Sequence, residues 1–337
     1  MSFKPTKGLL IKDWKQDVIY LVQFPRTHVI PSPSPFALKL ETWIRMNGLT
    51  YRNVSNELTK GSSKCQIPFI ELNGQQYADT KEIIEHLKNY FKLSIDSNLN
   101  SVERAHLRAY TILIEESLFR CGQYFRSFDI DWLFTEDGFL SHVKGLKKFL
   151  IGKLGPTKLK NTLKNIVYVQ GYGRHSKHEV DEIAKKDLLA LSTLLGDKPF
   201  LFGSTPSTLM ILRTALTVCN ALVPLLTTSF NPSFPCWKHL DAILFGLLVQ
   251  YTDTPTSEAI KPLLEKSAPN LLAFVSLIKK RYWPDWNEIT EKLLLNPEDS
   301  ETKINFKKLI RFLSNYDNRN YKIHFSVCDR NFLVNIF

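Results

Sequence analysis

A few short stretches carry side chains able to do chemistry together. Ser34 stands immediately before Pro35, at the start of an apolar helical pattern. A hydroxyl at that point can cap the helix, with Pro35 in the first helical position. It can also face a ligand, since the partial positive charge of the helix N-terminus favours an anionic group there. One oxygen can serve both roles in different states, so the residues leave both open. Asp79-Thr80 lies at a second helix start. Its free N–H groups and the Thr80 hydroxyl can hold a carboxylate, although either residue is a good cap with no ligand at all. Lys60 and Lys64 precede Ile67-Pro68 and can attract a further carboxylate or remain solvated. Ala37 brings no thiol three residues after Ser34, which excludes CxxC disulfide exchange at that turn.

Other chemistries find less support. Gly171-Tyr-Gly173 lacks a third glycine and a preceding parallel strand, so it makes no dinucleotide fingerprint. His175 and His178 have no acidic or cysteine companion with metal-ligand spacing, and no metal is expected. Cys65, Cys121, Cys219, Cys236 and Cys328 are scattered, which argues against a disulfide framework or a zinc knuckle and fits a reducing compartment. Cys65, beside Lys64, reads as a bystander thiol open to oxidation.

The elements that must position these residues fall into two halves. Val18 to Phe24 is a short apolar, β-branched run and predicts a buried strand. Prolines punctuate the next loop, and a helix follows from Phe36 to Asn47, closed by Gly48. Thr50 to Val54 predicts a second strand. Ile67 to Leu72 and Gln75 to Ala78, joined by Asn73-Gly74, predict a tight hairpin. Asp79-Thr80 then opens a helix to about Phe91. Beyond Asn100 the patterns are helical: from Ser101, and over Gly138 to Leu150, Glu179 to Leu195, Asp241 to Tyr251, Ser257 to Leu264 and Asn270 to Tyr282. The expected division is an extension over 1–16, an α/β thioredoxin-like domain over 17–92, an all-α bundle over 100–287 and a basic tail over 288–337.

The chain has 337 residues and a net charge of +11, which suits about two domains and favours anionic partners without selecting one. Between Asp137 and Glu179 there are nine cations and no acidic residue. Solvated helical faces or contact with an acidic membrane surface explain that run; nucleic acid is disfavoured, because no aromatic interleaving accompanies it. The N-terminus lacks a signal-peptide pattern, and the most apolar stretch, Met210 to Leu226, carries Arg213, Asn220 and Pro224. A cytoplasmic chain is expected, with peripheral membrane contact left open.

Phe24-Pro-Arg26, Ser32-Pro-Ser-Pro-Phe-Ala-Leu-Lys-Leu-Glu-Thr-Trp43, Gln66-Ile-Pro-Phe-Ile-Glu-Leu-Asn-Gly74, Gly171-Tyr-Gly-Arg-His-Ser176 and Arg281-Tyr-Trp-Pro-Asp-Trp286 resemble the failed axon connections family, relatives of the metaxins in the glutathione transferase-like superfamily. These motifs run from Asp17 to about Trp286. The resemblance implies a glutathione S-transferase architecture, with Ser34 as the hydroxyl facing the sulfur of glutathione. It implies a cis bond at Ile67-Pro68 that turns the Ile67 main chain to the cysteinyl part of the tripeptide. Asp79-Thr80 would then meet the γ-glutamyl carboxylate, and Lys64 the second carboxylate. Glutathione, as ligand or co-substrate, is the implied small molecule. The resemblance also allows a non-catalytic role in axonal or mitochondrial outer-membrane assemblies, through protein partners or a second copy of the chain.

One departure from the family pattern stands out. A Ser/Thr-x-x-Asp box would open a central helix of the bundle, yet Ser207-Thr-Leu209 and Asp241 are separated by Met210 to Leu240. Those 31 residues contain no Asp or Glu and read as an insertion, of the kind that translated unspliced sequence would give.

Overall fold

The computed structural model describes residues 8–58, 60–93, 100–201, 238–255 and 260–296. Its first half is a four-stranded sheet in the order β2-β1-β3-β4. β1 (Ile19–Gln23) pairs in parallel with β2 (Tyr51–Ser55) and antiparallel with β3 (Phe69–Leu72), which pairs antiparallel with β4 (Gln75–Ala78). All five residues of β1 are buried: Ile19 to Val22 as the apolar run of a strand covered on both faces, and Gln23 through hydrogen bonds donated to Glu41 and Asn53 at 2.7 Å. Asn73 and Gly74 both have positive φ, +49° and +76°, the geometry that lets a two-residue turn follow the twist of its strands.

Helix α1 (Pro35–Met46) begins with Ser34 as its cap and Pro35 in its first turn. Nearly all of it is buried, Lys39 and Glu41 included. The cause is its position between the first half and helix α7 (Lys238–Thr252) of the second. Gly246 permits that approach: a Cβ there would lie 2.5 Å from the Pro35 carbonyl oxygen. Helix α2 (Thr80–Tyr90) is capped by Asp79, whose Oδ1 accepts the Lys81 N–H at 2.9 Å.

The second half is helical, as expected. α3 (Ser101–Ile112) runs through a π turn at Leu113–Leu118 into α4 (Phe119–Arg126). The capping box at its start is complete and sits one residue earlier than Ser101: Asn100 accepts from Glu103 N while Glu103 accepts from Asn100 N. The pattern over Gly138 to Leu150 resolves differently. A 3-10 turn at Phe139–His142 precedes α5 (Leu146–Val169), which continues through Pro156. The carbonyl that the proline ring crowds belongs to Gly152, and at Gly155 the Phe134 ring occupies the space a Cβ would need. α6 (Lys177–Leu195), α8 (Lys261–Ser267), α9 (Pro269–Tyr282) and α10 (Trp286–Lys292) complete the described elements.

Residues 210–237 of the inferred insertion lie outside the described residues, and Lys238–Leu240 form the first turn of α7. Ser207 also lies outside them, but Asp241 does reach back across that stretch: its Oδ1 accepts the Leu201 N–H at 2.9 Å. Docking continues past Trp286, because Asn296 exchanges two hydrogen bonds with the Asn53 backbone, at 2.7 and 3.0 Å, along the outer side of β2. Among the described residues no helix is long and apolar enough to cross a membrane; Met210 to Leu226 lies outside them.

Candidate ligand cleft

A cleft of about 190 Å³ opens between the two halves. Phe36 of α1, Ile67 and Pro68, Asp79 to Lys81, and Glu115 with Arg120 supply its principal walls. The Ile67-Pro68 bond is cis, and Ile67 is 2% exposed. The π turn between α3 and α4 widens the helix there and presents Glu115 and Glu116 to the cleft from consecutive positions.

The floor is a buried charge network. Lys39 Nζ donates to Glu115 Oε1 at 2.7 Å and to Thr80 Oγ1 at 3.1 Å. Lys81 reaches Glu115 Oε2 at 2.7 Å. Burial pulls the Lys39 pKa down, and the neighbouring Glu115 carboxylate works against that pull. His239, half-buried at the start of α7, is held well below the usual histidine range by its partial burial and by the charges of Lys39, Lys88 and Lys81.

The sequence-derived site residues separate into two groups. Ile67, Pro68, Asp79 and Thr80 come together on one cleft. Ser34 and Lys64 do not join its walls. Ser34 is fully buried; its Oγ accepts the Ala37 N–H at 3.4 Å, the bond of a helix cap. Lys64 is exposed, and Lys60 pairs with Glu57 at 2.8 Å. Cys65 is disulfide-bonded and so offers no free thiol, contrary to its reading as a bystander thiol in a scattered set. Cys121 is free and buried, and burial is the chief cause that pushes its pKa up to about 12. Among the described residues no cluster of His, Cys, Asp or Glu is arranged to hold a metal ion.

Sequence reasoning passed over Lys39 and Glu115. A signal for Lys39 was present: it lies four residues before Trp43 on the stripe α1 buries, where a lysine requires a counter-charge. No comparable signal marked Glu115, because its partner arrives from 76 residues away.

Several of the family motifs meet elsewhere, at a buried junction behind α1. Arg26 of the first motif forks onto both Glu41 carboxylate oxygens at 2.8 Å. Arg45 grips Asp285 through two bonds of 2.6 and 2.9 Å and stacks 4.0 Å from the Trp283 ring centre. Trp283 donates its indole N–H to Thr42 at 3.0 Å. Burial alone would raise the Glu41 pKa, but Arg26 and Arg45 overcome it and hold the carboxyl well below the ordinary range.

The fold and the cleft define a glutathione S-transferase-like protein, and residues 35–132 match the family model described as the glutathione S-transferase N-terminal domain. "Failed axon connections" of Drosophila melanogaster is 32% identical over 316 residues, covering 86% of this chain and 66% of that protein. The chain therefore spans a little under two thirds of that relative's length. "Isoprene-epoxide--glutathione S-transferase" of Rhodococcus sp. (strain AD45) is 30% identical over 52% of this chain and 74% of its own. "Metaxin-2" of Mus musculus is 22% identical over 82% of this chain and 92% of its own. The chain belongs to the failed axon connections family, in the metaxin-related branch of the glutathione S-transferase-like superfamily.

Proposed function

We propose that the cleft binds glutathione. The observation that carries this reading is the convergence of the cis Ile67-Pro68 bond and the α2 N-terminus on one hollow. The tripeptide backbone pairs with the Ile67 main chain, and its γ-glutamyl carboxylate meets the Thr80 hydroxyl and the first turn of α2. Lys81 and Arg120 add positive charge at the wall, while Glu115 and Glu116 supply the negative charge that a ligand ammonium needs. Lys64, exposed nearby in the chain, contributes at most long-range attraction.

Bound glutathione serves as a ligand of a protein whose main work is interaction with other macromolecules. The complete burial of Ser34 favours this role, since its hydroxyl is committed to the α1 cap. Transfer of glutathione to an electrophile is the second reading. It is supported by the position of Ser34 two residues before Phe36, which walls the cleft, and it requires the Ser34 hydroxyl to turn from Ala37 toward the thiol. Contact with protein partners, a second copy or an acidic membrane surface belongs to the same proposal, as does a cytoplasmic location with peripheral attachment. Retention on a glutathione matrix, measured alongside turnover of a model electrophile, tests it. Retention without turnover is expected, and turnover that Ser34→Ala abolishes would establish the second reading instead.

A further inference from the structure

We propose that the outer face of α5 docks on an anionic lipid bilayer. This inference rests on the acidic-membrane contact proposed above, is independent of glutathione binding, and narrows that contact to one surface. Leu146, Phe149, Leu150 and Leu154 recur at helical spacing and are 74, 62, 39 and 54% exposed. The opposite side of the helix is anchored through Ile151, Leu159, Leu163 and Val167, all buried. Single exposed apolar residues are ordinary, whereas four on one side of one helix form a patch that water covers at a cost.

Charge identifies the occupant. α5 carries six lysines and no acidic residue. Lys148 and Lys160 are partly neutralised by Glu136 and Asp131 from neighbouring segments. Lys153 remains exposed along the apolar stripe, its ammonium 5.8 Å from the Phe149 ring centre, and Lys144 is exposed in the loop just before the helix. Lys164 lies over the exposed Phe128 ring further along. A second copy related by a two-fold axis would set these lysines against one another. A peptide seeking a groove would meet a convex helix. An anionic bilayer satisfies both features: the leucines and Phe149 enter the headgroup boundary while the ammonium groups remain at phosphate level on their apolar stems.

The full chain is sedimented with vesicles of phosphatidylcholine alone or with about 30% phosphatidylserine. Pelleting is expected with the serine lipid only, and is expected to fall at least about fivefold between roughly 50 and 500 mM salt. Phe149→Ser with Leu154→Ser, and separately Lys144→Glu with Lys153→Glu, should each reduce partitioning at least about tenfold at an unchanged melting temperature. If one double variant melts early, the other decides the outcome. No pelleting on the anionic vesicles, or pelleting of the variants equal to the parent chain, overturns the proposal. A concentration-dependent dimer dissolved by the Phe149/Leu154 variant overturns it as well, because a second copy then covers the face.

Discussion

A lysine with no solvent exposure persists only where a counter-charge and hydrogen-bond acceptors surround it. Lys39 finds them in Glu115 and Thr80. Removing the charge from Glu115 leaves an uncompensated buried ammonium, which costs about 3–5 kcal/mol. Glu115→Gln should therefore lower the urea midpoint substantially. Lys39→Met should cost less, since Glu115 retains its contact with Lys81. Ser34 offers a contrast of size: as a cap, its loss in Ser34→Ala should cost about 1 kcal/mol. The same unfolding measurement reads both. At this scale the sequence was partly legible. Asp79 and Thr80 could be read from cap chemistry, while the resemblance supplied Ile67, Pro68 and their cis bond. Lys39 carried a readable warning in its place on an apolar stripe, but its partner depended on how the two halves dock.

At the scale of elements, α1 and α7 pack closely enough that Gly246 has no room for a side chain. Gly246→Val should cost about 1–3 kcal/mol by forcing the helices apart, with a lowered melting temperature as the measure. Asp241, on the same helix, gives a pH signature. Burial, the dominant cause, raises its pKa from 3.8 to about 7, against the Leu201 N–H and the Lys198 charge. The native state therefore holds a proton that the unfolded state releases first. Stability from this group is full below about pH 4 and falls as pH rises to about 7, by at most a few kcal/mol. Asp241→Asn should flatten that part of a stability-against-pH curve; an unchanged slope would remove Asp241 as its source. The hairpin and the strands were readable because Asn-Gly and β-branched runs act locally. The continuation of α5 through Pro156 was not, because it depends on Gly152 and Gly155 packing beside Leu140 and Phe134.

Across the whole molecule, Arg26, Thr42, Trp283 and Asp285 of the family motifs help to join its halves. The Arg26–Glu41 and Arg45–Asp285 contacts tie the loop after β1, α1 and the chain after α9 into one unit, with Asn296 fastened to β2. Asp285→Ala should leave Arg45 half-satisfied and speed hydrogen exchange in α10 before the sheet itself opens. Such a joint keeps the cleft walls, drawn from both halves, at a fixed separation. The most direct test of the central claim is calorimetric titration of the full chain with glutathione. One-to-one binding is predicted, kept within about twofold by Ser34→Ala and weakened at least about tenfold by Thr80→Val, which removes the hydroxyl; Lys39 loses one acceptor with it but keeps its Glu115 partner. No binding by the parent chain, or binding that Thr80→Val leaves intact while Ser34→Ala destroys it, would contradict the account.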